Sequence, residues 1–165
     1  MRELDEREQR IRAVSAEILV RRERHGVPMI AAEGFPDAFY GLGLVQAFDR
    51  GMQMELTRLA ARGQLSEHLP PNENLVAMDK AMRKYDIWGF ARRQAGRMEP
   101  AAREEAEAFC RGVNDQFGEN PPAEFALIGY EPLPWGPADC IAIMKIMSMV
   151  DLDETNGWMR KFIVQ

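Results

Sequence analysis

The sequence is poor in the residues that usually mark chemistry. It has two cysteines, Cys110 and Cys140, and two histidines, His25 and His68. Two cysteines cannot build a disulfide framework, and two Cys and two His at unrelated spacings do not make a zinc site. No apolar run approaches the roughly 18 residues a bilayer span requires, so no membrane is expected as a partner. A net charge of -5 excludes the clustered basic excess of a broad nucleic-acid footprint. There is no phosphate-binding glycine loop, no HExxH and no GxSxG. The only serines are Ser15, Ser66 and Ser148, and none sits on a nucleophile elbow. His25 and His68 are flanked by loop signals and read as turn or surface residues. Cys110 reads as a small buried hydrophobe within an amphipathic helix.

What is present fits one ordinary folded domain of 165 residues, with 46% hydrophobic and 28% charged residues. The opening MRELDEREQRIR has no apolar core and no small-residue cleavage site of a leader. With Met1 as the natural start the protein is expected in the cytoplasm. With a removed leader it is expected in the periplasm or outside the cell.

Residues 16–32 predict a β-hairpin, with Ile18 and Val20 on one face and the turn at His25-Gly26. From Pro36 the period becomes helical through Phe39, Leu42, Val45, Ala47, Met52, Leu56 and Leu59, ending at Gly63. Asp37 or a neighbour would cap this helix. Gly41 and Gly43 weaken it, which implies close approach by another element. Further helices are expected over about 75–96, from Pro100 to Phe117, and from Pro137 to about Leu152. Between the last two lies GENPPAEFALIGYEPLPWGP, expected to be irregular and anchored by Phe125, Leu127, Tyr130 and Trp135. The sum is one hairpin and four or five helices. Two strands alone make a marginal sheet, so the chain is expected to be part of something larger.

Three features invite functional readings. Asp49, Arg50, Gln53, Glu55 and Arg58 interrupt an apolar helix and predict a buried polar network, with Glu55 facing Arg58 at i, i+3. Met144, Met147 and Met149 lie together in the last helix, either as core packing or as an adaptable apolar pocket wall. Asp151, Asp153 and Glu154 fit either a hard cation or a solvated helix end.

Several motifs, taken in order, resemble the α chain of the penicillin acylase family of N-terminal-nucleophile hydrolases. They are the Arg-x-x-x-Gly-hydrophobe-Pro turn in VRRERHGVPMIAA, the helix GLGLVQAFDRGMQMEL, the element GQLSE, and Asp79 with Arg83. FCRGVNDQF and AEFALIGYEPLPWGPADC complete the set, which spans about Glu17 to Leu152. The chain departs from the family pattern at Met29, where His is frequent, and at Leu59, where a second Arg is frequent.

The resemblance implies an α+β class: a mainly helical α subunit contributing a hairpin to an αββα fold shared with a β chain cut from the same precursor. Residues 1–165 would then be the α chain of a heterodimeric acylase. It would act on a small-molecule N-acyl amide, cleaving a linear amide through an acyl-enzyme. The catalytic nucleophile, and the α-amino group that serves as its base, would belong to the β chain, leaving no catalytic residue here and needing no cofactor for catalysis. An acyltransferase using the same intermediate, or a non-catalytic helical interaction subunit, are the alternatives. Counting from Trp135, the family's two pocket positions fall on Ser148 and Leu152, with Met149 beside them. Some members take one calcium ligand from this chain. The count reaches Trp158, and a small gap brings Glu154 to that role as ligand of a structural calcium.

Overall fold

The computed structural model describes residues 9–70 and 72–156, with side chains through Met149. Among the described residues three strands and seven helices follow in order. They are β1 (Gln9–Arg12), β2 (Glu17–Arg22), β3 (Pro28–Ala31), α1 (Phe35–Arg62), α2 (Leu65–His68), α3 (Glu73–Lys84), α4 (Ile87–Ala95), α5 (Pro100–Glu119), α6 (Ala123–Ile128) and α7 (Pro137–Asn156). The chain forms two compact units, one of residues 1–51 with 99–122, the other of 52–98 with 123–165. Helix α1 runs from the first into the second, and its helical geometry breaks at Arg50 (φ -138°, ψ 22°) beside the boundary.

The first unit is a sheet on helices. Its three strands are antiparallel in the order β1-β2-β3, with Ile11 opposite Ile18 and Val20 opposite Ile30. Ile18, Val20, Tyr40, Val45 and Ala108 form the core, flanked by Ile11, Ile30 and Phe39. Burying each large apolar side chain contributes about 1.5–3 kcal/mol. The expected hairpin is therefore part of a three-stranded sheet. The missed strand, QRIR, carries one apolar residue among charges, so its pairing is set by Ile18 across the ladder and not by its own pattern.

Glycine lets the elements of this unit approach each other. A Cβ at Gly43 would lie 2.1 Å from the carbonyl oxygen of Phe109, and one at Gly112 would lie 2.1 Å from that of Tyr40. Helices α1 and α5 thus meet backbone to backbone. Asp37, expected as a cap, instead holds the β1–β2 turn: it accepts from the Ser15 amide at 2.8 Å, the Ser15 hydroxyl at 2.5 Å and the Ala16 amide at 3.4 Å. Those hydrogen bonds, led by the Ser15 hydroxyl, hold its carboxyl below the usual carboxylate range. Arg22 grips Asp49 through both oxygens at 2.7 and 3.1 Å and donates to the Gly26 carbonyl at 3.0 Å. Two sequence motifs, the hairpin turn and the Asp-Arg of α1, are thereby one contact.

The second unit is helical. Gly63, at φ +66°, ends α1. Asp79 of α3 then accepts from the amides of Leu65 and Ser66 at 2.9 and 2.7 Å and from the Ser66 hydroxyl at 2.6 Å. Arg83 donates to the Gly63 carbonyl at 2.7 Å and pairs with Glu67. The Gly-x-Leu-x-Glu element and the Asp-x-x-x-Arg pair are therefore a capped turn and its clamp. The helix expected over 75–96 is two helices, α3 and α4, broken where Asp86 adopts a left-handed conformation (φ 53°) that a short polar side chain tolerates. The expected irregular stretch contains α6, entered through Pro121-Pro122, a helix-start signal. Phe125, Tyr130 and Trp135 anchor it as expected, but Leu127 is 84% exposed and anchors nothing.

Candidate functional site

The chemistry-bearing side chains of the second unit gather where α1 meets the start of α7. Glu55, Arg58 and Arg62 recur at three and four residues, so they share one face of α1. Glu55 and Arg58 are each only 1% exposed. The Arg58 guanidinium pairs with Glu55, donates from Nη1 to the Leu133 carbonyl at 2.8 Å and stands 4.0 Å from Asp139. Glu55 also accepts from the Tyr130 hydroxyl and, at 2.9 Å, from the Trp135 indole N–H. Arg62 holds Asp139 Oδ1 at 2.7 and 2.9 Å, and its guanidinium lies 4.1 Å from the centre of the Trp88 ring. Asp139 in turn accepts from the Gly136 amide at 3.0 Å. Among the described residues no buried side-chain nitrogen or oxygen lacks a partner.

Burial pushes the Tyr130 phenol up to about 12, with the Glu55 carboxylate acting in the same direction. Burial pulls the Arg58 guanidinium down, but Glu55 and Asp139 outweigh it and the net shift is upward. Tyr130 is therefore a neutral donor and Arg58 a permanent cation. Every polar group of the network is engaged by another, which is the pattern of a structural tie.

The expected polar set is only partly brought together. Glu55 and Arg58 are its buried members, while Asp49, Arg50 and Gln53 are exposed. Gln53 lies off the face shared by Glu55, Arg58 and Arg62, and Asp49 pairs with Arg22 instead.

Past its first turns, α7 changes character. Ile141, Ala142 and Ile146 are buried, whereas Met144 and Met147 are 60% and 49% exposed. Of the two readings of the methionines, core packing fails for these two. Ser148 is exposed, with its hydroxyl on the Met144 carbonyl at 2.8 Å, and Met149 is half-buried. Met144, Met147 and Ser148 lie at i, i+3, i+4 on one face. Lys145 points its ammonium over the Phe90 ring at 4.5 Å. The side chains of Leu152 and Glu154 lie outside the described residues. Among the described residues no group of three His, Cys, Asp or Glu could hold a metal ion.

These contacts join motifs that are far apart in sequence, and comparison with known proteins assigns the set. Residues 17–161 match the family model described as penicillin amidase. The chain belongs to the penicillin amidase family. It is 35% identical over 142 residues to the penicillin acylase 2 proenzyme of Pseudomonas sp. strain SE83, covering 85% of this chain and 18% of that protein. It is 31% identical over 143 residues to the acyl-homoserine lactone acylase QuiP of Pseudomonas aeruginosa, covering 85% of this chain and 17% of that protein. The chain thus spans less than a fifth of the length of these curated relatives. A thermostable penicillin G acylase from Alcaligenes faecalis superimposes with a TM-score of 0.67 and 26% identity, over 76% of this chain and 69% of the solved one. Mainly helical architecture with a small antiparallel sheet is thus shared with that acylase.

The Asp79 clamp and the part Tyr130 plays in the network were not foreseen in the sequence. Asp79 was recognisable only as a motif member, and Tyr130 only as an apolar anchor. The contacts that give them roles reach Ser66 and Glu55, so no local pattern reports them.

Proposed function

We propose that this chain is the α subunit of an amidohydrolase that cleaves a linear N-acyl amide, its partner being a β chain from the same precursor. One comparison supports this above all others. The chain covers less than a fifth of a relative named a proenzyme, yet more than two thirds of a single solved chain of a penicillin G acylase. A solved acylase chain of nearly this length supports reading the present chain as a subunit of its own.

In this reading the first residue of the β chain attacks the amide carbonyl through its side-chain oxygen or sulfur. Its proton passes to the chain's own free α-amino group and then to the departing amine, leaving an acyl-enzyme. Water, deprotonated by the same amine, releases the acid and restores the enzyme. An α-amino group with a pKa near 8 suits both transfers. The chain described here supplies recognition. The exposed face of α7, with Met144, Met147 and Ser148 and with Met149 beside it, reads the acyl group, and the family count adds Leu152 to that role. Its methionines favour an apolar acyl group, and Lys145, drawn toward Phe90, leaves that face without a cation.

The test is kcat/KM of the two-chain enzyme on straight-chain N-acyl amides from butanoyl to dodecanoyl. Ser148→Phe is expected to shift the optimum to shorter acyl groups while maturation proceeds normally. An unchanged profile would remove α7 from acyl recognition.

A further inference from the structure

We propose that the buried ladder of Glu55, Arg58, Arg62, Asp139 and Trp135 is a positioning device for acyl selectivity: it fixes the root of α7 so that the exposed face further along reaches the substrate in one orientation. This rests on the assignment of that face to acyl recognition made above.

The root of α7 is held by unlike contacts from several directions. Asp139 lies in its first turn, gripped by Arg62 and closed onto the Gly136 amide. The segment that leads into it is held at Leu133 by Arg58 and at Trp135 by Glu55. All the anchoring groups of α1 sit on one helix face, so α1 acts as a rail to which the root is fastened at two levels. Beyond that root α7 packs against α4 with Ile141, Ala142 and Ile146 buried, and the polar side-chain contacts seen among the described residues of its exposed stretch are local: Ser148 to Met144 within the helix, and Lys145 over Phe90.

The root contacts set the angle at which α7 lies against α4. Nine residues separate Asp139 from Ser148, about 13 Å at a rise of 1.5 Å per residue. A tilt of about 5° at the root moves the face at Ser148 by about 1 Å. A displacement of that size at a reacting complex can cost about a hundredfold in rate. A buried ion pair is a poor way to gain stability alone, because desolvation offsets much of the attraction. Its directionality is what an apolar contact of the same volume would lack.

The experiment uses the matured two-chain enzyme, with active sites titrated so that rates refer to folded molecules. Arg62→Lys keeps the charge but loses the planar fork, and Trp135→Phe keeps a ring but deletes the N–H to Glu55. Ser66→Ala, in the α2–α3 clamp, serves as a destabilised control away from the ladder. Both ladder variants are expected to lose about tenfold in kcat/KM on the preferred acyl length and about twofold or less on poor ones, chiefly through kcat. The profile therefore flattens, while Ser66→Ala lowers the melting temperature and leaves its shape intact. A profile of unchanged shape in Trp135→Phe overturns the proposal, as does failure of Trp135→Phe to mature where Ser66→Ala matures. Ser148→Phe separates the two levels of inference. If it shifts the profile and the ladder variants do not, only the positioning role fails. If it too leaves the profile unchanged, the recognition assignment fails with it.

Discussion

Each of the two units of this chain is held together internally, and the two use opposite means. In the first, an apolar sheet lies on helices whose backbones touch through glycine. In the second, a ladder of buried charges ties α1 to the root of α7. Apolar contact with backbone approach is intolerant of volume and indifferent to charge. A charge ladder is the reverse: it tolerates modest shape changes and fails when one partner goes. The comparison is sharpest on α1 itself, where Gly41 and Gly43 leave room for close neighbours and Glu55, Arg58 and Arg62 bind through charge.

The largest expected effect tests the first unit. Gly43→Val would drive its side chain into the Phe109 carbonyl, where even a Cβ has only 2.1 Å. We expect a loss above about 4 kcal/mol, seen as absence of soluble protein, since backbone cannot yield as a side chain does. A well-folded Gly43→Val protein would break the contrast at its start.

Glu55→Ala tests the second unit. It leaves Arg58 buried without its main partner and strips acceptors from Tyr130 and Trp135. A loss of about 3–5 kcal/mol in denaturant unfolding is expected. A loss under about 1 kcal/mol would mean that the ladder is solvated.

The sequence revealed these two regimes unequally. Gly-x-Gly in an apolar helix is a local mark of close approach, and it was readable at Gly41 and Gly43. The charges interrupting α1 were equally visible, but which of them were buried was not. Helical spacing alone puts Gln53 off the face of Glu55, Arg58 and Arg62, but the distant partners that bury that face, Tyr130, Trp135 and Asp139, leave no local mark. Strand β1 was illegible for a related reason, since Ile11 alone carries its inward face. The positions proposed to read the acyl group, Ser148 and Leu152, were reached by counting along a family pattern. The structure adds that Ser148 is exposed on a face shared with Met144 and Met147.

A smaller effect is expected at Asp37, which belongs to the first unit yet works by charge. Its hydrogen bonds from Ser15 and Ala16 hold the folded carboxyl below its ordinary value of 3.8. That contribution is present above pH 3.8 and is lost as pH falls through the lower folded value. Asp37→Asn should therefore destabilise by about 1.5–3 kcal/mol at neutral pH. Urea midpoints of wild type and variant should converge as the acid limit is approached. A gap that persists there would assign the loss to packing instead of charge.

The smallest effect is expected at Arg50. It is exposed at the break in α1, so Arg50→Ala should change thermal stability by no more than about 0.5 kcal/mol and leave maturation intact. A large loss would return Arg50 to the buried network from which its exposure removes it.

The most direct test of the functional assignment is to ask which chain becomes acylated. The matured enzyme is treated with a reactive acyl or sulfonyl fluoride, and the intact masses of its chains are measured separately. One adduct is expected on the first residue of the β chain, with hydrolysis of amides abolished in proportion, and none on the chain described here. Stoichiometric modification of this chain with loss of activity, or amide hydrolysis by this chain alone, would contradict the account.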